Sequence, residues 1–306
     1  MQTTASPLVS VVIPCFNQAH FLPEAIESVL GQTHAPVEVI VVDDGSEDNT
    51  EPVAGRYEAV RRLHQGNKGA PSARNRGLGE SNGEFVLFLD SDDRLLPEAV
   101  ESGLRALREQ PDSGAAVGAC RNIDAGGLPL DVPGQPLIHS DHYLALLKSC
   151  FILSGSSVLF RRSALEQVGG FDQTLALGDD YDLYLRIARL HPLACHGQVV
   201  TEYRRHSQSL TGDPAATMRG ELGALRRQRR QVRGKRESAA RRQGIRRSRR
   251  IHGGEMGEAL RRQLQERQWV AAARTALSLL RGYPRGLFGP APGDRRPGRL
   301  GSVAAL

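Results

Sequence analysis

Long apolar runs are missing from this chain of 306 residues: no stretch approaches the roughly 18 consecutive apolar residues that a membrane-spanning helix needs. The segment from Met1 to Ser10 lacks the basic start and apolar core of a secretion signal. Cysteine is scarce, with 4 residues and no C-x-x-C pair. These absences argue against a membrane-spanning protein, a disulfide framework and a zinc site. They predict a cytoplasmic location in which the cysteines stay reduced.

Charge is distributed unevenly along the chain. Residues 1–214 carry 17 Lys and Arg against 28 Asp and Glu, whereas residues 215–306 carry 23 against 6. Segments of such opposed charge are expected to do different work. We therefore predict one globular domain over 1–214 and a basic, mainly helical extension over 215–285. A disordered tail is predicted over 286–306, where Gly, Pro and Arg accumulate.

Short β-branched apolar runs alternate with segments of helical periodicity in the first part of the chain. Strands are predicted at 8–13, 37–42, 85–89 and 157–160, and helices at 23–32, 73–78, 97–109 and 181–190. We place Pro97 in the first turn of its helix, and we expect loops and short strands over 111–150. This alternation predicts an α/β fold with parallel strand pairs and helices on both faces of the sheet.

Polar residues follow each of the first three predicted strands, at 14–17, 43–46 and 90–93. Ligands of open α/β sheets bind beyond the carboxyl ends of the strands, so these residues are candidates for a binding site. In the third group, Asp90, Asp92 and Asp93 repel one another unless a cation or hydrogen-bond donors neutralise them. Such oxygen ligands suit Mg²⁺ or Mn²⁺. A solvated acidic turn is the other interpretation.

Two further acidic motifs also allow two interpretations each. Asp43 and Asp44 precede a glycine, so they form either a simple turn or a pair of carboxylates that binds a base or ribose. Asp179 and Asp180 open a predicted helix. Acids there either interact favourably with the helix dipole or provide an ionised general base. Taken alone, this last motif favours neither interpretation.

Taken together, these residues resemble glycosyltransferase family 2, whose catalytic domain has the GT-A fold, a Rossmann-like α/β fold with a mixed, mainly parallel sheet. The resemblance covers about residues 7–212, so it places the catalytic domain within 1–214. The matching motifs are VSVVIPCFN at 9–17, IESVLGQ at 26–32, VVDDGSED at 41–48, NKGAPSARN at 67–75, GEFVLFLDSDD at 83–93, FRRSAL at 160–165, GGFD at 169–172, DDYDLYLR at 179–186 and YRRH at 203–206. Each motif is weak alone, but their order makes the resemblance specific.

The resemblance implies three groups of site residues. Those expected to contact the nucleotide and donor sugar are Pro14, Phe16, Asn17, Asp43, Asp44, Asn67, Lys68, Arg74 and Asp90. Those expected to contact a divalent metal, Mn²⁺ or Mg²⁺, are Asp92, Asp93 and His206. The residue that matches the general base of the family is Asp180.

The chain departs from the family pattern at three places. Asp179 stands where Glu is usual, and Phe16 stands where Tyr is common. Processive members carry a Q-x-x-R-W motif, but the segment from Gln265 to Trp269 has Gln268 where that motif needs Arg. The shorter side chain of Asp179 could shift the acceptor contacts, and Phe16 lacks the hydroxyl of Tyr. The incomplete Q-x-x-R-W motif argues against a processive synthase.

The resemblance implies an inverting transfer of a sugar from a nucleotide sugar to an acceptor hydroxyl, with uridine as the most frequent base in the family. The acceptor class it implies is a polysaccharide, a lipid-linked glycan or another glycoconjugate. Three other functions compete with this one: a nucleotide-sugar-binding regulator without catalysis, an adaptor acting through its basic segment, and a nucleotidyltransferase. The first would lack Asp180. The last would need a Gly-rich phosphate loop after the first strand, which residues 14–17 do not provide.

The basic segment 219–250 contains 14 Lys and Arg against two acids. Three interpretations of this segment are open. It forms a solvated helical face, it contacts anionic lipids peripherally at the inner face of a membrane, or it contacts nucleic acid. The last is disfavoured because aromatic residues are absent there. Residues 270–280 have the periodicity of an amphipathic helix, which would pack on the catalytic domain, lie at a membrane interface or form a dimer contact.

Overall fold

The computed structural model describes residues 6–206 and 212–284, and its strands form one sheet of eight. The strands are β1 (Val9–Cys15), β2 (Val37–Asp43), β3 (Val60–His64), β4 (Phe85–Phe88), β5 (Arg94–Leu95), β6 (Ala115–Ile123), β7 (Val158–Arg161) and β8 (Leu193–Arg204). Their order across the sheet is β3-β2-β1-β4-β7-β6-β8-β5. The first four strands in this order run parallel, as do β6 and β8, whereas β7 and β5 are antiparallel to their neighbours. The predicted α/β fold with a mixed, mainly parallel sheet is confirmed.

Helices flank both faces of this sheet. They are α1 (Leu22–Leu30), α2 (Thr50–Ala54), α3 (Ala70–Glu80), α4 (Ala99–Glu109), α5 (His142–Lys148), α6 (Arg162–Val168), α7 (Asp179–Leu190), α8 (Pro214–Arg227), α9 (Gly234–Gln265) and α10 (Trp269–Gly282). Side chains of β1 alternate between the two faces: Val11 packs in a cluster with α1 and α4, and Val12 packs in a cluster with α3 and α7. The core therefore has one layer on each side of the sheet.

The segment 111–150 is more regular than its composition predicts. It contains β6, a strand of nine residues, and the helix α5. The prediction of only loops and short strands is wrong here because Ala115, Ala116 and Val117 are small residues buried between β7 and β8, where both faces are covered and alternation is lost. Pro97 was predicted in the first turn of a helix, but that helix begins two residues later, at Ala99.

The basic extension is helical, as predicted, and it packs onto the rest of the chain. Asp213 caps α8 by accepting a hydrogen bond from the backbone of Ala215. Leu225 of α8 and Ala240 of α9 belong to the same buried cluster as α5 and α7. The hydrophobic core therefore continues past residue 214, and the division into domains at that residue stays a prediction.

The last helix, α10, packs on α8 and α9 through Ala272 and Leu279, which join a third buried cluster with Met218 and Met256. The predicted tail over 286–306 lies outside the described residues. Within 6–206 and 212–284, no helix has both the length and the apolar character required to cross a bilayer.

Candidate active site

The candidate site lies at the carboxyl edge of the sheet, where β1, β2, β4, β6 and β8 all end. These strands share one direction, so the loops that follow them meet at the same edge. These loops carry Phe16, Asn17, Asp44, Asp90, Asp92, Asp93 and His206. Pro14 and Asp43 lie near the ends of β1 and β2, Asn67 and Lys68 follow the parallel strand β3, and Arg74 is on α3. The remaining acids enter from the start of α7, on the same side.

Asp44, the first residue after β2, organises the loop 65–69. Its carboxylate accepts hydrogen bonds from the backbone amides of Lys68 at 2.9 Å and Gly69 at 2.8 Å, and from the side-chain amide of Gln65 at 2.8 Å. Gly45 follows with a φ of +79°, and a Cβ added there would lie 2.7 Å from the backbone nitrogen of Asn67. The turn after β2 therefore fits directly against the loop that displays the exposed side chains of Asn67 and Lys68.

The end of β1 lies beside this turn. Pro14 is buried in the strand, whereas the ring of Phe16 is 44% exposed. Asn17 has a φ of +54° and is held from both sides: its backbone amide donates to the hydroxyl of Ser46, and its side-chain oxygen accepts from the amide of Glu47. Asp43 closes the same turn by accepting from the amide of Ser46 at 2.9 Å. An exposed aromatic ring thus borders a rigid pair of loops.

The three acids that follow β4 have different surroundings. Asp92 lies 2.8 Å from the Nε2 atom of His206 and accepts a longer hydrogen bond, of 3.4 Å, from Gln18. Asp93 points into the core, where it accepts from the hydroxyl of Ser156 at 2.7 Å and from the backbone amide of Arg204 at 3.0 Å. Both oxygens of Asp93 are therefore engaged within the protein.

Electrostatics distinguish these acids from surface carboxylates. Burial, followed by repulsion from Asp90, raises the pKa of Asp92. Burial also raises the pKa of Asp93 well above its ordinary value, with Asp92 and Asp90 adding to the effect. A cluster whose carboxylates resist ionisation in this way gains from a nearby cation.

Arg204, at the end of β8, supports the acidic loop from behind. Its fully buried guanidinium donates to the backbone carbonyl of Asp92 at 2.7 Å and to the carboxylate of Glu24 at 2.7 Å, and it lies over the ring of Phe21. It also donates to the carbonyl of Ala125, at the base of the loop after β6. One side chain thus joins the loops after β4 and β6. The sequence motif at 203–206 includes Arg204, but nothing in it indicated this role.

Arg74, on α3, is placed between two acids. Its guanidinium donates to Asp90 at 2.7 Å and to Asp179 at 2.7 Å, and its side chain is only 13% exposed. Although burial opposes its charge, Asp90 and Asp179 raise the pKa of Arg74 above its ordinary value. This pair of ion pairs links the loop after β4 to the start of α7.

Asp180 is the half-buried neighbour of this ionic group. It lines a small cavity together with Arg74, Asp90, Gly155, Tyr184 and the aromatic rings of Phe88, Phe160 and Phe171. One of its carboxylate oxygens accepts a hydrogen bond from the backbone amide of Tyr181, in the same helix, at 2.7 Å. Burial, followed by repulsion from Asp179, raises the pKa of Asp180 to about 6. A carboxylate with such a pKa in a cavity is well suited to accept a proton near neutral pH.

The start of α7 is fixed by close backbone packing. Gly178 has a φ of +76°, and a Cβ there would lie 2.6 Å from the backbone of Gly220 on α8. Only glycine satisfies both conditions. The extension therefore contacts the backbone that carries Asp179 and Asp180.

Comparison with known proteins fits this geometry. Residues 10–169 match the family model of glycosyl transferase family 2. The chain belongs to glycosyltransferase family 2. An uncharacterised glycosyltransferase of Rickettsia felis is 33% identical over 209 residues, which are 66% of this chain and 35% of that protein. The chain thus spans about a third of that relative's length.

Solved structures confirm the fold of this family 2 member. Residues 1–349 of TarS from S. aureus align with a TM-score of 0.66 at 20% identity, covering 91% of this chain and 82% of that one. The mannosyltransferase PcManGT from Pyrobaculum calidifontis, in complex with GDP-Man and Mn²⁺, aligns with a TM-score of 0.63 at 20% identity, covering 94% and 78%. The GT-A-like architecture expected of a family 2 enzyme is therefore confirmed.

The structure brings together most of the residues predicted for this family 2 site. One cavity is bordered by Asp90, Arg74 and Asp180. The carboxylate of Asp92 lies at hydrogen-bonding distance from the ring of His206. Gln18 and Glu24 were missed, although both contact the acidic loop or its supporting arginine. They follow β1 at positions without a recognisable motif, so only the fold reveals them.

Proposed function

We propose that this family 2 glycosyltransferase catalyses an inverting, metal-dependent transfer of a sugar from a nucleotide sugar to an acceptor hydroxyl, with Asp180 as the general base. The observation that carries the proposal is the cavity in which Asp180 stands beside Arg74 and Asp90. A proton acceptor there faces the same sheet edge as the loops at 14–17 and 65–69. Donor and acceptor can therefore meet at one place.

In the proposed reaction the acceptor oxygen attacks the anomeric carbon of the donor while Asp180 takes the hydroxyl proton. The bond from that carbon to the diphosphate oxygen breaks, and the nucleoside diphosphate leaves from the opposite face. A single displacement needs one base and no enzyme nucleophile, so the configuration at the anomeric carbon inverts. The pKa of about 6 keeps Asp180 ionised at neutral pH and still basic enough to take a proton.

Arg74 serves this base as a positioning residue. It neutralises Asp90 and Asp179, which flank the cavity, and thereby keeps their charge from raising the pKa of Asp180 further. The shorter Asp179, in place of the usual Glu, still reaches Arg74 at 2.7 Å. The departure from the family pattern thus leaves this ionic group intact.

The nucleotide is proposed to bind between the ends of β1 and β2. Phe16 offers an exposed ring against which a base can stack, and the exposed Asn67 and Lys68 border the same turn. Asp44 contributes to the base site mainly by positioning the loop 65–69, because its oxygens accept hydrogen bonds from the amides of Lys68 and Gly69. Uridine is the proposed base. The TarS fragment has been solved with UDP-GlcNAc, and PcManGT with GDP-Man, so both nucleotides need to be tested.

The residues present fit a divalent cation. Among residues 6–206 and 212–284, no group of three or more His, Cys, Asp and Glu side chains is placed to hold a metal ion by itself. Asp92 and His206 supply one carboxylate oxygen and one imidazole nitrogen 2.8 Å apart, so the remaining ligands would come from the donor diphosphate and water. The predicted contact from Asp93 would use oxygens that already accept hydrogen bonds from Ser156 and Arg204. When bound, Mn²⁺ or Mg²⁺ would neutralise charge on the leaving diphosphate.

A panel of nucleotide sugars with Mn²⁺ tests the proposal, with release of nucleoside diphosphate as the readout. We expect release from one donor, loss of release in Asp180→Asn, and unchanged nucleotide binding by that variant. Asp172→Asn is the matched control because Asp172 pairs with Arg227 outside the cavity. Nucleotide binding without turnover of any donor, in the presence of simple glycan acceptors, would instead support a regulator. Absence of nucleotide binding would contradict the proposal.

A further inference from the structure

One face of α10 is apolar and exposed. Trp269 is 63% exposed, Leu277 47% and Leu280 56%, and all three lie within one narrow stripe of the helix. An adjoining side is buried against α8 and α9 through Ala272 and Leu279. The helix is therefore fixed to the protein by one side and presents large apolar side chains to solvent on the next.

Positive charge borders this stripe. Arg274 and Arg281 are exposed and lie one after the other along its edge, since seven residues correspond to about two helical turns. From Trp269 to Gly282, α10 contains no acidic residue. An apolar stripe with arginines at its edge and no acids has the pattern of a helix that lies in the headgroup region of an anionic bilayer.

The preceding helix adds charge on the same side. Arg242, Arg246 and Arg250 are exposed on α9 and follow one another at a spacing of four residues. Eleven residues make about three helical turns, so Arg242 lies on the same side of α9 as Gly253. Gly253 is covered by the ring of Tyr283, directly after α10. The arginine row and α10 therefore occupy neighbouring stretches of one side of α9.

We propose that α10 is an interfacial membrane helix: Trp269, Val270, Leu277 and Leu280 enter the headgroup region of an anionic bilayer, and the arginines of α9 and α10 contact its lipid phosphates. Charge complementarity favours this partner over a second copy of the chain, whose own α9 and α10 would bring arginines against arginines. The sequence left membrane contact open as one interpretation of both 219–250 and 270–280. The structure adds which side of α10 stays exposed and places the arginine row of α9 beside that helix. The proposal is independent of the transferase reaction.

The only tryptophan of the chain provides a direct probe of this face. Full-length protein is mixed with vesicles of equal parts phosphatidylglycerol and phosphatidylcholine, and with vesicles of phosphatidylcholine alone. We expect the emission of Trp269 to shift to shorter wavelength, and the protein to co-sediment, with the anionic vesicles only. Because the arginine contacts are exposed, added salt should weaken binding.

Two matched double variants separate this face from general hydrophobicity. Leu277→Glu with Leu280→Glu should weaken vesicle binding by about tenfold or more, because the stripe loses its apolar area and gains charge. Leu30→Glu with Leu190→Glu introduces the same charges at exposed leucines elsewhere and should bind as the unmodified chain does. Circular dichroism checks that both variants fold.

Other results would overturn the proposal. Equal binding by both double variants would show that α10 is not the contact. A concentration-dependent dimer in light scattering, lost in the Leu277→Glu, Leu280→Glu variant, with no shift of Trp269 emission on vesicles, would assign the face to a second copy. Diphosphate release with a water-soluble acceptor is measured separately, so failure of membrane binding is distinguishable from failure of the transferase proposal.

Discussion

Charges at the carboxyl edge of the sheet are buried and paired at hydrogen-bonding distance, whereas most charges of the extension α8–α10 stand in water. Arg74 illustrates the first arrangement, with two carboxylates at 2.7 Å and little exposure. Arg246, on α9, illustrates the second. Coulomb interactions are strong in the first environment and screened by water and salt in the second. The two regions therefore use charge for different purposes: local chemistry at the edge, and long-range attraction in the extension.

Burial and neighbouring charges shift the pKa values of acids at the sheet edge. Asp180 and Asp92 have raised pKa values because burial and neighbouring acids act on them together. Two regions of opposite net charge also attract each other, yet their junction is made mainly of apolar side chains such as Leu225 and Tyr181. The predictions below test this division, beginning with the largest expected effect.

The first prediction concerns the base. If Asp180 must be ionised to act, kcat/KM should fall about tenfold for each pH unit below a pKa near 6, because the protonated carboxyl cannot accept the acceptor's proton. Asp180→Asn should lower kcat by about 10²–10⁴-fold and abolish this acid limb. Rates measured between pH 5 and pH 8 at two salt concentrations check both points. An acid limb that survives in Asp180→Asn would assign the titration to another group.

The second prediction compares one arginine from each region. Arg74→Ala leaves the partly exposed Asp90 and the buried Asp179 without their cation, and removing one partner of a buried pair such as Arg74–Asp179 costs about 3–5 kcal/mol of the free energy of unfolding. Arg246→Ala removes an exposed charge and should change that free energy by no more than about 0.5 kcal/mol. Urea unfolding of both variants tests the difference. Similar losses in the two variants would contradict the comparison.

The third prediction concerns the contact between the regions. A Cβ at Gly220 would lie 2.9 Å from the backbone carbon of Leu177 and 3.0 Å from the nitrogen of Gly178, so Gly220→Val should destabilise the protein by about 1–3 kcal/mol. The start of α7 would shift, so diphosphate release should fall as well. Gly254→Ala is the control: its Cβ would meet no atom within 4 Å, and alanine is favoured by about 1 kcal/mol in a helix. Unchanged activity in a folded Gly220→Val variant would show that α8 does not position Asp180.

Sequence patterns predicted β1, β2, β4 and β7 because these strands are short apolar runs, and they placed the polar ends of the first three at one edge. The role of Asp180 came from the family resemblance. The patterns did not predict β3 or β8, and they did not define β6, whose small buried residues lack alternation. Strand identity there depends on neighbours distant in the sequence.

The same limit applies within the site. The acidic motif at 90–93 does not by itself distinguish its carboxylates, whereas in the structure Asp93 turns inward because Ser156, just before β7, and Arg204, at the end of β8, bind it. Likewise, the spacing of Arg74 gives no sign that it lies between Asp90 and Asp179, which are 16 and 105 residues away. Roles that depend on such distant partners need the fold.

The last prediction concerns His252 on α9, whose charge, unlike most charges of the extension, is largely buried and paired. Its Nδ1 lies 3.0 Å from Glu255 and its Nε2 lies 3.4 Å from Glu221 on α8, so both ring nitrogens donate when the ring is protonated. Burial opposes this charge, but the hydrogen bonds to Glu221 and Glu255 outweigh it and raise the pKa of His252 to about 9. The charged ring therefore ties α8 to α9 in a partly buried setting.

Because this pKa is higher in the folded than in the unfolded chain, the stabilisation is fully present below about pH 6.5 and is lost as the pH rises through 9. Partial exposure reduces the effect to roughly 1–2 kcal/mol. Urea unfolding at pH 6.5 and pH 9.5 should show this loss in the unmodified chain and a smaller loss in His252→Gln, whose side chain does not titrate. An identical loss in both would mean that other groups carry the pH dependence, and that charge in the extension acts only at its surface.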